Sequence, residues 1–217
     1  ALLHLAGGHR QGSERVTGVT PNLPRPAASN RDSMRRTLAL LLFAAAASAA
    51  PMSKLEREQL VAHFEMTERW LTQELDGLTE AQLKFRPGEG KWSILDVVDH
   101  LTVAEPQYWQ WLQDDMKQPG TLTRGADPDE NFLWYGIDRT VRNKTGAARE
   151  PKGQLTNAAE GLARFRKLRA AMLQYARTTD DDLRSHAIQK SKTDIYQWFL
   201  MISTHSQRHI LQIQEIE

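Results

Sequence analysis

The chain has 217 residues, with 28 basic and 27 acidic side chains, seven histidines and no cysteine. Without cysteine there is no disulfide framework, no thiolate nucleophile, no iron–sulfur cluster, no cysteine zinc site and no lipoprotein anchor. The length suits one domain of roughly 150 residues with an appendage, enough to bury a core unaided.

The near-neutral total hides an uneven charge. Residues 1–49 hold six basic and two acidic side chains, which leaves 22 basic and 25 acidic ones beyond them, a net of −3. A weakly acidic domain is a poor match for nucleic acid, whose phosphates dominate affinity. No basic stripe in the sequence offsets that.

Residues 1–33 are rich in Gly, Pro, Ser, Asn and Arg and show no helical or strand period. They read as a disordered or non-native extension. Residues 34–49 have another pattern. Arg35 and Arg36 form a basic start, Leu38 to Ala46 an apolar run, and Ala47-Ser48-Ala49 a small-residue cleavage site. That is the layout of a secretory signal peptide, and it predicts a periplasmic or secreted protein. An uncut anchor and a cytoplasmic start at Met52 are the alternatives. The apolar run is too short and too Ala-rich for a stable membrane span.

The domain proper is expected over 53–217. Leu55, Leu60, Val61, Phe64, Leu71 and Leu75 recur in steps of three and four, the period of an amphipathic helix. Ser53 and Glu56 make a capping box before it, and Gly77 can end it. One short helical turn is expected at Thr79–Leu83, then a Pro/Gly loop. Ser93 caps a second long helix, with Ile94, Leu95, Val97, Val98 and Leu101 at helical spacing. Pro106 predicts a kink or break inside it, and Tyr108, Trp109, Trp111 and Leu112 continue it to about Met116.

Residues 117–153 are polar and Gly/Pro-punctuated around one apolar island, Phe132–Tyr135. A connection this long is usually functional or holds a short element, so a short helix covering one end of the bundle is expected. A third long helix follows from Leu155, Ala159, Leu162, Phe165, Leu168, Met172 and Tyr175. The fourth runs from about Asp194 to the C-terminus. No stretch alternates with period two. The expected fold is all-α, a four-helix bundle with a long connection between its second and third long helices.

The histidines carry the chemistry. His205 and His209 lie four apart, on one helix face with Trp198, Ile202 and Ile216. Two imidazoles aimed into a core are costly unless both find partners, and a metal ion satisfies both. His100, on the core face of the second helix, is the candidate third ligand. Three imidazoles leave a coordination position open, as catalytic sites do. They suit zinc, nickel, iron and copper alike. Asp96 or Gln212 could orient a ligand from one turn away, although capping alone accounts for Asp96. His63 reads as a satisfied boundary histidine, His186 as a surface one. Asp99, Glu105 and Arg208 are expected at the rim or in solvent. No catalytic acid or base stands out.

Two segments together resemble the DinB/YfiT-like superfamily. Trp92-Ser93-Ile94-Leu95-Asp96-Val97-Val98-Asp99-His100-Leu101, after Phe85-Arg86-Pro87, looks like its signature second helix. Thr204-His205-Ser206-Gln207-Arg208-His209-Ile210-Leu211-Gln212-Ile213 is similar to its last-helix motif. The resemblance implies a four-helix bundle with a divalent metal, commonly nickel or zinc, on three histidines that match His100, His205 and His209. It also implies homodimers, and activities that include thiol-dependent S-transfer and metal-dependent hydrolysis.

Export would separate the protein from the chiefly cytoplasmic low-molecular-weight thiols, which shifts weight toward hydrolysis. The leading expectation is therefore a metal-dependent hydrolase or thiol S-transferase acting on an unknown small molecule. A non-catalytic metal-binding or stress-response bundle is the alternative. A helical interaction module built on Trp109, Trp111 and Phe132–Tyr135 ranks last.

Overall fold

A computed structural model describes residues 50–217, apart from Asn143. The extension expected at 1–33 and the signal peptide expected at 34–49 lie outside the described residues. Six α-helices follow in order: α1 (Lys54–Leu75), α2 (Glu80–Lys84), α3 (Ile94–Asp115), α4 (Asp129–Ile137), α5 (Ala158–Thr178) and α6 (Ile195–Gln214). Among the described residues there is no strand, only one isolated bridge between Ala187 and Asp194. No helix among them is long and apolar enough to cross a membrane.

Local chemistry sets the helix starts. Ser53 with Glu56, Thr79 with Gln82, Ser93 with Asp96 and Asp194 with Gln197 all close capping boxes. Each satisfies backbone donors that the first helical turn leaves unpaired. Pro106 does not break the helix: α3 runs on from Ile94 to Asp115, with Met116 as its C-cap, close to the expected end. Proline removes one backbone bond. Buried Leu101 and Ala104 before it, and Trp109 and Leu112 after it, hold both halves in one helix.

The four long helices form the bundle. Both α1 and α3 pack against α5 and α6, so each lies between the same two neighbours. The short α4, the helix expected from the apolar island, lies against α6. Gly136 permits that approach: a Cβ there would come within 3.0 Å of the Thr204 carbonyl oxygen.

The core is divided. One apolar cluster gathers Leu60 and Phe64 of α1, Trp109 and Leu112 of α3, Met172 of α5 and Phe199 of α6. The other gathers Leu71, Val97, Leu101, Phe165, Ile210 and Ile213 from the same four helices. Between these two sets in sequence, every long helix contributes buried polar groups: Thr67, Glu105, Arg169, and Ser203 through Ser206. The bundle therefore carries a polar layer across its middle.

Three residues expected at the rim are inside. Asp99, Glu105 and Arg208 are 2%, 1% and 5% exposed. The descending part of the 117–153 connection covers Asp99, whose Oδ2 accepts the backbone N–H of Lys152 and Gly153 at 2.6 and 2.7 Å. Arg208 donates to the carbonyls of Tyr135, Asp138 and Val141, tying that connection to α6. Glu105 faces α5, where Arg169 Nη2 meets it at 3.0 Å. A one-face reading of each helix could not see these covers.

Candidate metal centre

At the edge of the polar layer, α3 and α6 bring His100, His205 and His209 together. One ligand-type atom from each lies within 4.8 Å of the others, and all three residues are buried. The spacing along α6 does part of this, since residues four apart share a face. Packing does the rest, setting His100 ring-to-ring at 5.2 Å from His205 and 4.5 Å from His209.

Hydrogen bonds decide which nitrogen each imidazole offers. His100 Nδ1 lies 2.6 Å from the Arg149 carbonyl oxygen. A carbonyl only accepts, so Nδ1 carries the proton and the neutral ring keeps its lone pair on Nε2. His209 Nδ1 lies 2.9 Å from Gln212 Oε1, with the same consequence. Gln212 thus has the orienting role expected of it. Asp96 does not: it accepts from Ser93 and pairs with Arg86 at 2.7 Å.

His205 has no partner for its buried Nδ1. Glu105 Oε1 lies 3.8 Å from that atom, too far for a hydrogen bond. His205 Nε2 and His100 Nε2 lie 3.2 Å apart, so the His100 lone pair is met either by a proton on His205 Nε2 or by a cation between the two nitrogens. Two lone pairs at that distance repel unless something positive lies between them. Two imidazole nitrogens on one tetrahedral ion, with bonds of about 2.0–2.1 Å, would stand roughly 3.3 Å apart. The donor set therefore fits a divalent cation.

Burial pushes the pKa of all three imidazoles down, those of His205 and His209 well below the ordinary value. Neutral rings are the form that ligates. His63 and His186 are not part of the cluster. His63 Nδ1 meets Ser203 Oγ at 2.8 Å, and His186 Nδ1 meets the Asp182 carbonyl at 2.8 Å.

Beneath His205 the polar layer forms its own network. Arg169 Nη2 reaches Glu105 Oε2 at 3.0 Å and Ser206 Oγ at 2.6 Å, and Ser206 donates to Glu105 Oε1. The guanidinium lies over the rings of Phe64 and Phe165, at 4.4 and 4.6 Å. Burial pushes the Glu105 carboxyl up and the Arg169 guanidinium down. Sequence reasoning missed this layer, because a lone charge inside a helical pattern reads as solvent-facing.

The three histidines line a cavity of about 550 Å³. Its walls include Trp92, Tyr108 and Tyr135, with Arg149, Arg208 and Gln212. Trp92 lies ring-to-ring at 5.0 Å from His100, and Tyr108 stands edge-on to His205 at 5.2 Å. Burial pushes the Tyr108 phenol up to about 12, so its hydroxyl stays protonated at neutral pH.

The comparisons with known proteins agree with the fold. The uncharacterized protein YuaE of Bacillus subtilis (strain 168) is 25% identical over 148 residues, which cover 66% of this chain and 88% of YuaE. The solved structure of YfiT from Bacillus subtilis is described as a probable metal-dependent hydrolase with an unusual four-helix bundle topology. It matches with a TM-score of 0.51 and 19% identity, over 76% of this chain and 87% of its own, a likeness of fold. The DinB superfamily model matches residues 63–213, which include all three histidines and the helices that carry them. The chain belongs to the DinB superfamily.

Proposed function

We infer that this protein is a divalent-metal-dependent enzyme of hydrolytic type, with His100, His205 and His209 as the protein ligands. The observation that carries this reading is the convergence of three buried, neutral imidazoles on a cavity of about 550 Å³. Three protein ligands with adjoining space are the pattern of catalytic rather than structural zinc sites. When bound, such an ion supplies Lewis acidity and lowers the pKa of a ligand water toward neutrality.

The chain's own residues do the positioning. The Arg149 carbonyl and Gln212 Oε1 hold the tautomers of His100 and His209. Glu105 sets a negative charge behind His205. Trp92 and Tyr108 wall the cavity, and the Tyr108 hydroxyl is available as a donor to a substrate oxygen. Zinc and nickel are the first metals to test, with iron as a third candidate.

Two considerations favour hydrolysis over thiol transfer. Residues 34–49 have the pattern of an export signal, and YfiT is described as a probable metal-dependent hydrolase. Periplasmic or secreted location and homodimer formation belong to the same proposal.

A passive metal-binding bundle is the second reading. It is favoured by the pocket wall, where the one carboxylate, Glu150, is solvent-exposed. The test is elemental mass spectrometry of the untagged protein beside a His205→Ala/His209→Ala double variant, followed by hydrolase screens with the metal found. The enzyme reading expects about one ion per chain, absent from the variant, and ester, amide or lactone turnover that disappears with it. Turnover that persists in the variant would falsify it. One ion per chain, a lowered melting temperature on chelation and no turnover would select the passive bundle.

A further inference from the structure

The cavity beside the histidines is cationic, although residues 50–217 carry a net charge of −3. Six of its lining side chains are basic: Lys91, Arg139, Arg142, Lys144, Arg149 and Arg208. Four of them lie within residues 139–149, and Lys91 and Arg208 join that segment only in the fold. Not all are available to a ligand. Arg139 and Arg142 are engaged by Glu215, at 2.8 and 3.4 Å. Arg208 is spent on the three carbonyls of the connection.

Lys91, Lys144 and Arg149 remain, with no acidic partner among the described residues. Arg149 differs from the two lysines. It is half-buried, and its guanidinium carbon lies 5.7 Å from the ring centroids of both Tyr108 and Trp111. Aromatic faces hold a guanidinium in place without neutralising it. Its own carbonyl receives His100 Nδ1, so the same residue fixes a candidate ligand and offers a positive charge beside it. A planar guanidinium held in this way is suited to two parallel hydrogen bonds with a carboxylate or phosphate.

We propose that this pocket binds a small organic anion, with Arg149 as the residue that grips its carboxylate or phosphate group and Lys91 and Lys144 as the flanking charges that draw it in. The inference rests on the same cavity being the reactive site. It names the substrate class: a small molecule whose anionic group sits on Arg149 while the bond to be cleaved faces the three histidines. Arg149 is here a substrate-binding residue, and it acts whether or not a metal is present.

The experiment is titration calorimetry of the full protein with malonate, inorganic phosphate and the neutral malonamide, in both zinc-free and zinc-supplemented forms. Wild type, Arg149→Gln and the double variant Lys91→Gln/Lys144→Gln are compared. Both lysines are exposed, so the double variant tests the charge without disturbing the core. The expected result is saturable binding of malonate or phosphate, none of malonamide, and at least tenfold weaker binding in Arg149→Gln. Several-fold weakening is expected in the lysine variant.

The tighter of malonate and phosphate identifies the anionic group. Absence of binding by both anions, or equal affinity in wild type and Arg149→Gln, overturns the proposal. Binding that needs zinc and ignores Arg149→Gln also overturns it, because the anion would then sit on the ion, and it leaves the metal reading intact. Arg149-dependent binding in a protein that takes up neither zinc, nickel nor iron supports this inference while overturning the metal reading.

Discussion

The two apolar clusters and the polar layer between them are built on the same four helices but obey different rules. In the clusters, residues such as Leu71, Phe199 and Ile213 are buried with only apolar neighbours to satisfy. Any side chain of similar size and shape would nearly serve. In the layer, each group depends on a particular partner: Glu105 on Arg169 and Ser206, His100 on Arg149, His209 on Gln212. The clusters hold the bundle together, and the layer makes one of its many possible packings useful. Stability is spread over many contacts, whereas the candidate function is confined to a few residues that cannot be exchanged.

The sharpest test of that contrast is Arg169→Met. It leaves Glu105 buried without its cation, which should cost about 3–5 kcal/mol in urea denaturation. Combining it with Glu105→Gln should recover much of the loss, since an absent pair is cheaper than a broken one. An Arg169→Met protein as stable as wild type would show that the layer is not electrostatically coupled.

Next in size is Leu71→Ala in the apolar cluster, expected to cost about 2–5 kcal/mol through lost burial and the cavity left behind. Its zinc affinity should remain that of wild type. A matching loss of metal would mean that the two regions are not separable.

Gln212→Ala is expected to do the reverse. The layer loses the acceptor that orients His209, so zinc affinity in a competition titration should fall about ten- to a hundredfold. The melting temperature of the metal-free protein should barely move, because Gln212 is only half-buried.

The smallest effect concerns a third kind of region, the ion-pair node at Arg184. Its guanidinium meets Glu56 and Asp129, each at 2.7 Å, and Asp194 at 3.1 Å, and lies 3.9 Å from the Tyr196 ring. Burial alone would raise the carboxyls of Glu56 and Asp129, but the hydrogen bonds and charge of Arg184 bring both below their ordinary values. A carboxylate with a lowered folded pKa stabilises the fold above its unfolded pKa and loses that contribution as pH falls through the folded one. Arg184→Gln should therefore cost about 1–3 kcal/mol at pH 7. The gap to wild type should begin to narrow below about pH 4, the unfolded carboxylate range, and close only as the folded carboxyls themselves protonate at lower pH. A gap independent of pH would assign the loss to packing on Tyr196 instead.

Much of the fold was legible in the sequence because its signals are local. The capping residues Ser53, Ser93 and Asp194 and the period of the apolar positions mark the starts and buried faces of their helices. Those signals depend on hydrogen bonds three residues apart and on a repeat of 3.6. His205 and His209 were visible for the same reason, and His100 followed from its helix face. Pro106 marked a place for a kink or break, and apolar packing on both sides of it outweighs proline's local penalty so that the helix continues. Asp99, Glu105 and Arg208 misled because their partners, Lys152 and Gly153, Arg169, and Tyr135 with Asp138 and Val141, lie 53 or more residues away.

The sequence by itself thus determined the helices, their buried faces and the three candidate ligands, since each is written in spacings of three or four residues. Only the tertiary structure decided that the third of these meets the other two, that Arg149 caps it, and that Lys91, Arg208 and the basic segment 139–149 converge on one cavity. Convergence of that kind depends on how helices cross and where a long connection returns. Those are properties of packing across the whole bundle, and no short stretch of sequence encodes them.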